Sequence, residues 1–160
     1  MTPTLRPAVA TDAVAGAALQ RACWLEAYGP HVDRALLEAR VGNEQPWIDA
    51  WVRQLAVGPP RVVAEAGGEL VGFAVAGPSR DETPVAADEL YAIYTRAAWW
   101  GTGLGPRLWE AVRPAGPCSL WVLEANLRAR TFYERQGFVA DGARELYADL
   151  DAWEIRMVRP

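Results

Sequence analysis

The chain has 160 residues, of which 51% are hydrophobic and 22% are charged, a composition typical of one folded domain, which we expect to span residues 1–160. Its net charge of −4 argues against a nucleic-acid partner, because phosphate contacts need a basic binding face. Two cysteines and one histidine are too few for a disulfide framework or a metal site.

Targeting and membrane signals are missing from the sequence. No apolar run reaches the length of a membrane span, and the start MTPTLRPAVATDAV lacks the basic-then-apolar pattern of a signal peptide. We therefore expect a soluble, cytoplasmic protein with no membrane partner. The oligomeric state stays open, with a homodimer as one option.

The first part of the chain predicts a strand and two helical regions. Residues 4–8 are a short strand candidate, and Thr11 and Asp12 offer a cap for a helix that ends near Gly29. A second helical region, of one or two pieces, reaches Val57.

A hairpin follows. Two apolar, β-branched runs at 61–66 and 69–76 flank Gly67 and Gly68, a pair that tolerates the positive φ values of a two-residue hairpin turn. The polar residues 78–87 predict a loop.

Residues 88–112, DELYAIYTRAAWWGTGLGPRLWEAV, predict a strand, a glycine-rich turn and a helix. Gly101, Gly103 and Gly105 allow successive N–H groups to converge at a helix N-terminus, where an anion such as pyrophosphate binds. Pro106 suits the first helical turn because that turn has spare N–H groups. The residues match neither the Walker loop nor the dinucleotide fingerprint. Taken alone, the turn is better explained as a tight connection.

The rest of the chain predicts a strand at 118–123, a helix capped by Asn126 and ended by Gly137, and two strands at 138–140 and 153–158. Residues 141–151 are expected to connect the last two strands. The whole order predicts an α/β (α+β) fold with a mixed sheet and helices on both faces. Ligands of such sheets bind at the carboxyl ends of the strands.

Two segments carry a family resemblance. LYAIYTRAAWWGTGLGPRLWEAV resembles the acetyl-CoA loop of the GCN5-related N-acetyltransferase (GNAT) superfamily, and SLWVLEANLRARTFYERQGF resembles its second signature, strand-N-x-x-A-x-x-FY-x-x-x-GF. The resemblance implies a three-layer fold with a mostly antiparallel sheet of about six to seven strands, whose central parallel strands splay apart. One position departs from the family pattern: Trp100 stands where the family usually has Gln or Arg.

The resemblance also implies acetyl-CoA as the cosubstrate. Main-chain groups on one strand and the Asn126 side chain would bind the pantetheine arm; the strand residues are Ile93, Tyr94 and Thr95. The pyrophosphate would lie on the glycine loop, which comprises Gly101, Thr102, Gly103, Gly105 and Pro106.

In the family, an amine attacks the thioester directly, which requires a neutral amine and a proton for the departing thiolate. Tyr133 occupies the FY position, where a phenol donates that proton and contacts the cofactor. Spacing alone would make Tyr133 a core aromatic. Glu89 is the candidate general base, and the alternative is a solvated charge at a strand end. Glu124 competes for that role, and many family members need no dedicated base.

The acceptor groove of the family lies beside the end of the first helix. Trp24, Tyr28 and His31 fall there, and Trp47 and Trp51 are further candidates, since aromatic walls suit an amine cation or a hydrophobic chain. Trp24 and Trp51 lie on apolar faces, and each taken singly is better explained as a core residue.

Three functions follow from these patterns. The first is an N-acetyltransferase that transfers acetyl from acetyl-CoA to a primary amine of a small molecule or a protein. The second is a non-catalytic acyl-CoA-binding module of the same fold. The third is a nucleotide-binding domain that uses the glycine loop.

Overall fold

The computed structural model describes all residues, 1–160, as five helices packed on a seven-stranded sheet. The strands are β1 Thr4–Pro7, β2 Arg61–Ala66, β3 Glu69–Pro78, β4 Asp88–Thr95, β5 Cys118–Leu123, β6 Val139–Tyr147 and β7 Ala152–Arg159. The helices are α1 Ala13–Tyr28, α2 Arg34–Gly42, α3 Gln45–Val57, α4 Leu104–Val112 and α5 Leu127–Arg135.

The strand order in the sheet is β1-β2-β3-β4-β5-β7-β6. Every neighbouring pair is antiparallel except β4 and β5, which run parallel. The predicted mixed, mostly antiparallel sheet is therefore confirmed.

The parallel pair β4 and β5 is joined only at its beginning. Asp88 pairs with Cys118 and Glu89 pairs with Ser119. Beyond these residues β4 and β5 form no further pair with each other. From Leu90 onward the two strands diverge, which leaves part of the inner edge of β4 without a strand partner. This divergence is the predicted splay, and it opens the middle of the sheet.

Helices cover both faces of the sheet, as expected. On one face α1, α2 and α3 enclose a core that includes Trp51, Phe73 and Leu37, all fully buried. On the other face α4 packs on β2, β3 and β4 through Leu104 and Leu108. Trp109 of α4 joins Phe138 and side chains of β5 and β7 in a neighbouring cluster on which α5 also packs. Alternate β-strand residues therefore point into separate cores.

Several local predictions are confirmed. Gly67 and Gly68 have φ values of +60° and +82°, as a two-residue hairpin turn with two left-handed residues requires. Gly137 has φ +93° just after α5. The second helical region forms two helices, α2 and α3.

Two local predictions are corrected. Asp12 lies in a short 3₁₀ turn and accepts from the Val9 N–H at 2.8 Å, so its side chain does not cap α1. The strand predicted at 138–140 continues to Tyr147. A register shift between Ala140 and Arg144 interrupts it, and Gly142 there has φ +92°. The bulge breaks the alternation of side chains, which explains why residues 141–147 were expected to form a connection.

None of the helices combines the length and the apolar character that crossing a membrane would require.

Candidate active site

Two cavities meet at the gap between β4 and β5. The first, of about 690 Å³, runs between the splayed strands and the N-terminal ends of α4 and α5, and we call it the cofactor cleft. The second, of about 510 Å³, lies towards α1 and the β6–β7 hairpin, and we call it the acceptor cavity. Tyr28, Tyr94 and Leu123 are among the residues that line both. The gap in the sheet thus links its two faces.

The glycine loop forms one end of the cofactor cleft. Gly101 and Gly103 have φ values of +72° and +88°, and a Cβ atom at either position would have no neighbour within 4 Å. Gly103 is the residue before α4, and Pro106 lies in the first turn of that helix. The loop therefore leaves open space in front of unpaired N–H groups at a helix N-terminus.

Gly105 serves a different purpose in the same loop. It lies inside α4, and a Cβ atom there would approach Phe132 of α5 to 3.1 Å. The absence of a side chain at this position permits the close approach of α4 and α5. Thr102 is exposed and does not line the cleft, and its hydroxyl donates to the Trp99 carbonyl at 2.7 Å.

Trp100 has two contacts that the family pattern does not suggest. Its indole N–H donates to the Thr95 carbonyl at 3.2 Å, which fastens the loop to the end of β4. Its ring carries the Arg128 guanidinium 3.7 Å from the ring centre, a cation–π contact. Trp100 itself is uncharged, but the fold thus places the positive charge of Arg128 next to this loop position.

Arg128 has no ion-pair partner in the protein and lines the cofactor cleft from the first turn of α5. Partial burial lowers the pKa of its guanidinium, and nearby tyrosine hydroxyls oppose that effect. Sequence analysis missed this residue, because only the fold brings the start of α5 next to Trp100.

The walls of the cofactor cleft come from β4, β5 and α5. Ile93, Tyr94 and Thr95 line it along the open edge of β4. Asn126 lines it at the end of β5, where the buried side chain also caps α5 by accepting from the Ala129 N–H at 3.2 Å.

Tyr133 lies on α5 with its ring against Phe138, at 5.9 Å between ring centres. It lines the cofactor cleft, and its hydroxyl makes no hydrogen bond within the protein. Burial, with a smaller effect of Tyr94, raises the pKa of this phenol above its ordinary value. The phenol is thus a protonated donor without a partner.

Tyr28 and Tyr94 stand where the two cavities meet. Their hydroxyl oxygens are 2.5 Å apart, which joins the end of α1 to β4 by a hydrogen bond. Burial raises the pKa of both phenols. Glu26 adds a second link, because its carboxylate accepts from the Ala97 N–H at 2.7 Å. The end of α1 is therefore held against the strand that borders both cavities.

The aromatic residues predicted for the acceptor groove divide into two groups. Trp24 and Tyr28 line the acceptor cavity. Trp47 and Trp51 are core residues that line neither cavity. His31 is exposed on the turn after α1 and also lines neither, so the structure does not bring it into the site.

Glu89 lines the acceptor cavity but is not the solvated strand-end charge considered as an alternative. It is 2% exposed, and one carboxylate oxygen accepts from the Arg80 side chain at 2.6 Å and 3.1 Å. The other oxygen accepts from the Arg80 backbone N–H at 3.0 Å. Both oxygens are occupied, which disfavours a role as a free base. Glu124 pairs with Arg144 at 2.8 Å and lines neither cavity.

Comparison with known proteins adds the family. The family model for the acetyltransferase (GNAT) family matches residues 17–138, most of the chain. This chain belongs to the GNAT family. A probable N-acetyltransferase, Rv2775 of Mycobacterium tuberculosis, is 28% identical over 143 residues, covering 86% of this chain and 80% of that protein.

Solved structures share the GNAT fold over the full length. The PaiA N-acetyltransferase of Thermoplasma acidophilum, solved with coenzyme A, has a TM-score of 0.68 and 15% identity, with 98% of both chains covered. YncA of Salmonella typhimurium, a putative acetyltransferase solved with acetyl-CoA, has a TM-score of 0.67 and 15% identity, with 99% of this chain and 93% of that chain covered.

Glu154 is a second residue that sequence analysis missed, and the GNAT motifs do not include it. It lies on β7 beside Leu123 of β5 and lines the acceptor cavity. Burial, reinforced by Glu145 and opposed by Arg80, raises its pKa to about 7. In the sequence Glu154 is one polar position in an alternating strand. Its place in the cavity depends on the pairing of β7 with β5, which the sequence pattern does not predict.

Proposed function

We propose that this GNAT-family chain transfers the acetyl group of acetyl-CoA directly to a primary amine of a small molecule or a protein. The observation that carries the proposal is the meeting of the cofactor cleft and the acceptor cavity at Tyr28 and Tyr94. A thioester at the end of the cleft and an amine in the cavity would come within reach of each other there.

The cleft suits coenzyme A at its phosphate end. Open space over Gly101 and Gly103 admits a pyrophosphate to the α4 N-terminus, where backbone N–H groups and the helix dipole favour negative charge. Arg128 adds an unpaired positive charge. We assign Arg128 a phosphate contact, which compensates for the Gln or Arg that family members usually have at the position of Trp100.

The open edge of β4 suits the pantetheine arm. Ile93, Tyr94 and Thr95 line the cleft beyond the last β4–β5 pair, so we assign main-chain groups on this edge, apart from the Thr95 carbonyl that Trp100 occupies, to pair with amide groups of an extended ligand as a strand would. Asn126 lines the same wall, although its carbonyl oxygen is partly occupied by the cap of α5. Thr102 faces solvent and plays no direct part in this assignment.

Acetyl-CoA supplies an acyl group on a thiolate leaving group. Tyr133 holds a proton on a hydroxyl that has no other partner, and we assign it the role of the acid that protonates the departing sulfur. The raised pKa of the phenol keeps the proton in place at neutral pH. Glu89 is assigned a positioning role, since it fixes Arg80 at the edge of the acceptor cavity.

Two measurements test the proposal. Calorimetry with coenzyme A, acetyl-CoA and ATP should give binding of the first two and none of ATP. Thiol release from acetyl-CoA should then depend on an added primary amine. Binding of coenzyme A with no amine-dependent thiol release across alkyl, aryl and peptide amines would instead support the non-catalytic acyl-CoA-binding module.

A further inference from the structure

We propose that the acceptor cavity takes its amine as an ammonium ion that carries no neighbouring carboxylate, and that Glu154 binds this ammonium and accepts its proton. The inference rests on the proposed acetyl transfer, and it names the class of acceptor and the base. Its basis is the distribution of charge in the acceptor cavity.

The acceptor cavity has one basic side chain and four acidic ones. The basic residue is Arg80, and Glu89 occupies its guanidinium through two hydrogen bonds while the Tyr91 ring lies 3.8 Å from it. Asp81 is also occupied, because it accepts from the Trp121 indole at 2.8 Å and pairs with Arg156 at 3.4 Å. No free cation remains to receive a carboxylate.

The remaining acidic residues, Glu145 and Glu154, have no cationic partner. They lie directly opposite each other on β6 and β7, and neither forms an ion pair or a hydrogen bond in the protein. Like charges opposite each other on neighbouring strands repel, so this pair destabilises the empty cavity. A bound cation would relieve that repulsion.

The position of Glu154 suits the reacting end of the amine. Its pairing partner on the adjacent strand β5 is Leu123, one of the residues that line both cavities. Glu145 is exposed at the outer side of the same row of residues. An ammonium beside Glu154 therefore lies at the junction with the cofactor cleft, and Glu145 lies further out.

The aromatic lining supports a cationic ligand. Trp24, Tyr28, Tyr94, Trp121 and Tyr147 all line the acceptor cavity, and aromatic faces attract ammonium groups. Trp24 supplies an independent observation: it is 8% exposed, and its indole N–H, which is close to the Tyr94 hydroxyl, lacks a hydrogen bond of good geometry. A buried donor without a partner at a cavity wall points to a ligand or water that accepts from it.

Glu154 and Tyr133 can carry out the two proton transfers that acetyl transfer requires. Glu154 takes one proton from the ammonium, and the freed nitrogen lone pair attacks the thioester carbonyl carbon. The C–S bond breaks as the amide C–N bond forms, and Tyr133 gives its proton to the sulfur. The second proton leaves the amide nitrogen and restores Tyr133 through solvent. The net products are the N-acetyl amine, the thiol and one proton.

The ionisation of Glu154 depends on burial and on the charged groups around it. Its pKa is raised to about 7, chiefly by burial and then by Glu145, and Arg80 lowers it. The other titratable groups that its charge affects are Tyr28, Tyr94 and Tyr147. The carboxylate form therefore accumulates as the pH rises through about 7, and a base with this pKa acts above that pH.

The test uses two acceptors that differ only at the far end of a four-carbon chain: butylamine and 4-aminobutanoate. The whole protein is used, with thiol release followed between pH 5.5 and 8.5, where both amines stay protonated. We expect kcat/KM for butylamine to exceed that for 4-aminobutanoate by about tenfold or more, because only the latter brings an anion towards the unpaired carboxylates.

Glu154→Gln should raise the KM for butylamine by about tenfold or more, since a charge-assisted contact is lost. It should also abolish the acidic limb of the kcat/KM profile. Glu145→Gln should shift that limb to lower pH, because a neighbouring negative charge is removed. Glu110→Gln on α4, an exposed glutamate paired only with Arg113, makes the same change of charge outside the cavity and should change nothing.

Equal use of butylamine and 4-aminobutanoate would overturn the inference, and so would a Glu154→Gln variant with unchanged KM and pH profile. Unchanged coenzyme A affinity in the variant confirms that the cofactor cleft is intact. Failure of the proposed function itself has a different result, namely coenzyme A binding with no acetylation of any amine. In that case ligand-observed NMR of butylamine with the coenzyme A complex decides: binding that Glu154→Gln removes supports the ammonium site, and no binding refutes it.

Discussion

The hydroxyl of Tyr28 at the end of α1 and the hydroxyl of Tyr94 on β4 form a hydrogen bond, with 2.5 Å between their oxygens, at the junction of the cofactor cleft and the acceptor cavity. Together with the Glu26 contact to the Ala97 N–H, it holds α1 against the open strand where acyl group and amine are expected to meet. Loss of either hydroxyl leaves the other without its partner.

Tyr28→Phe and Tyr94→Phe should each lower the free energy of unfolding by about 1 kcal/mol, because an unsatisfied hydroxyl remains. The double variant should lose less than the sum, since it leaves no unpaired hydroxyl. Denaturant unfolding of all four proteins measures this coupling. Strictly additive losses would show that the hydrogen bond contributes nothing to stability.

The proposed phosphate contact of Arg128, whose guanidinium rests on the Trp100 ring, is tested by replacing each of the two side chains. Arg128→Gln should weaken coenzyme A binding by about tenfold and reduce its dependence on salt, because one phosphate contact is lost. Trp100→Ala should weaken binding by a smaller factor, since it removes only the surface on which the guanidinium rests. Calorimetry over a series of NaCl concentrations measures both effects.

Arg53→Gln is the matched control for net charge, because Arg53 is exposed on α3 and has no ion-pair partner. An Arg128→Gln variant that binds coenzyme A as tightly as Arg53→Gln does would show that Arg128 does not contact phosphate.

Gly103→Val should block the pyrophosphate, and the structure supplies a control for its side effect. Gly103 has φ +88°, so valine there carries a backbone strain of about 1–2 kcal/mol in addition to filling the space in front of the loop. Gly142 in the β6 bulge has φ +92° and equally open space but lies outside both cavities. Gly142→Val therefore carries comparable strain without touching the cofactor cleft.

We expect both variants to melt a few degrees below the wild type and only Gly103→Val to lose coenzyme A affinity, by about tenfold or more. Calorimetry and thermal melts of the two proteins give the answer. Equal affinities would remove the pyrophosphate from the glycine loop.

Glu154 also predicts a dependence of stability on pH. Its folded-state pKa of about 7 lies above its ordinary value of 4.5, so between these values the folded chain binds more protons at this group than the unfolded chain. The contribution of Glu154 to stability is therefore complete below pH 4.5 and is lost as the pH rises through about 7.

Glu154→Gln should accordingly raise the melting temperature at pH 8 more than at pH 4.5, because glutamine removes a partly buried charge only where the wild type carries one. Thermal melts of the wild type and of Glu110→Gln at both pH values provide the reference. An equal rise in melting temperature at pH 4.5 and pH 8 would contradict the raised pKa of Glu154.

The elements with a strong local pattern were predictable from the sequence. β5 and the glycine-initiated α4 follow from apolar periodicity and turn residues, and Asn126 caps α5 as its position before the helix predicts. The 141–147 part of β6 was missed because a bulge at Gly142 breaks the alternation of an exposed edge strand.

The residues of the candidate site also differ in how far local sequence predicts them. Residues on the two GNAT motifs could be proposed from the sequence because each motif is continuous in sequence. Arg128 and Glu154 were missed because their meaning depends on partners from elsewhere in the fold: Trp100 in one case, and the β5–β7–β6 register in the other. The contact between Glu89 and Arg80 was not predicted for the same reason, since only the fold brings Arg80 onto this carboxylate.

Tyr133→Phe tests the proposed acid with a change of one oxygen atom. The ring stays packed on Phe138, so melting temperature and acetyl-CoA affinity should change little. Turnover should fall by about a hundredfold, the low end for general acid catalysis, because a thiolate is already a fair leaving group. Thiol release at saturating acetyl-CoA measures it. An unchanged kcat, with chemistry rate-limiting, would leave solvent as the source of the proton.

Direct acetyl transfer requires that the acyl group and the amine meet where the two cavities join. The most direct measurement is a crystal structure of the protein with a bisubstrate conjugate, coenzyme A joined through an S-carboxymethyl amide to butylamine. The account predicts the pyrophosphate at Gly101 and Gly103, the sulfur within hydrogen-bonding reach of the Tyr133 hydroxyl, and the butyl arm passing Tyr28 into the acceptor cavity. A conjugate bound with its amide nitrogen outside the junction of the two cavities, or with its sulfur away from Tyr133, would contradict it.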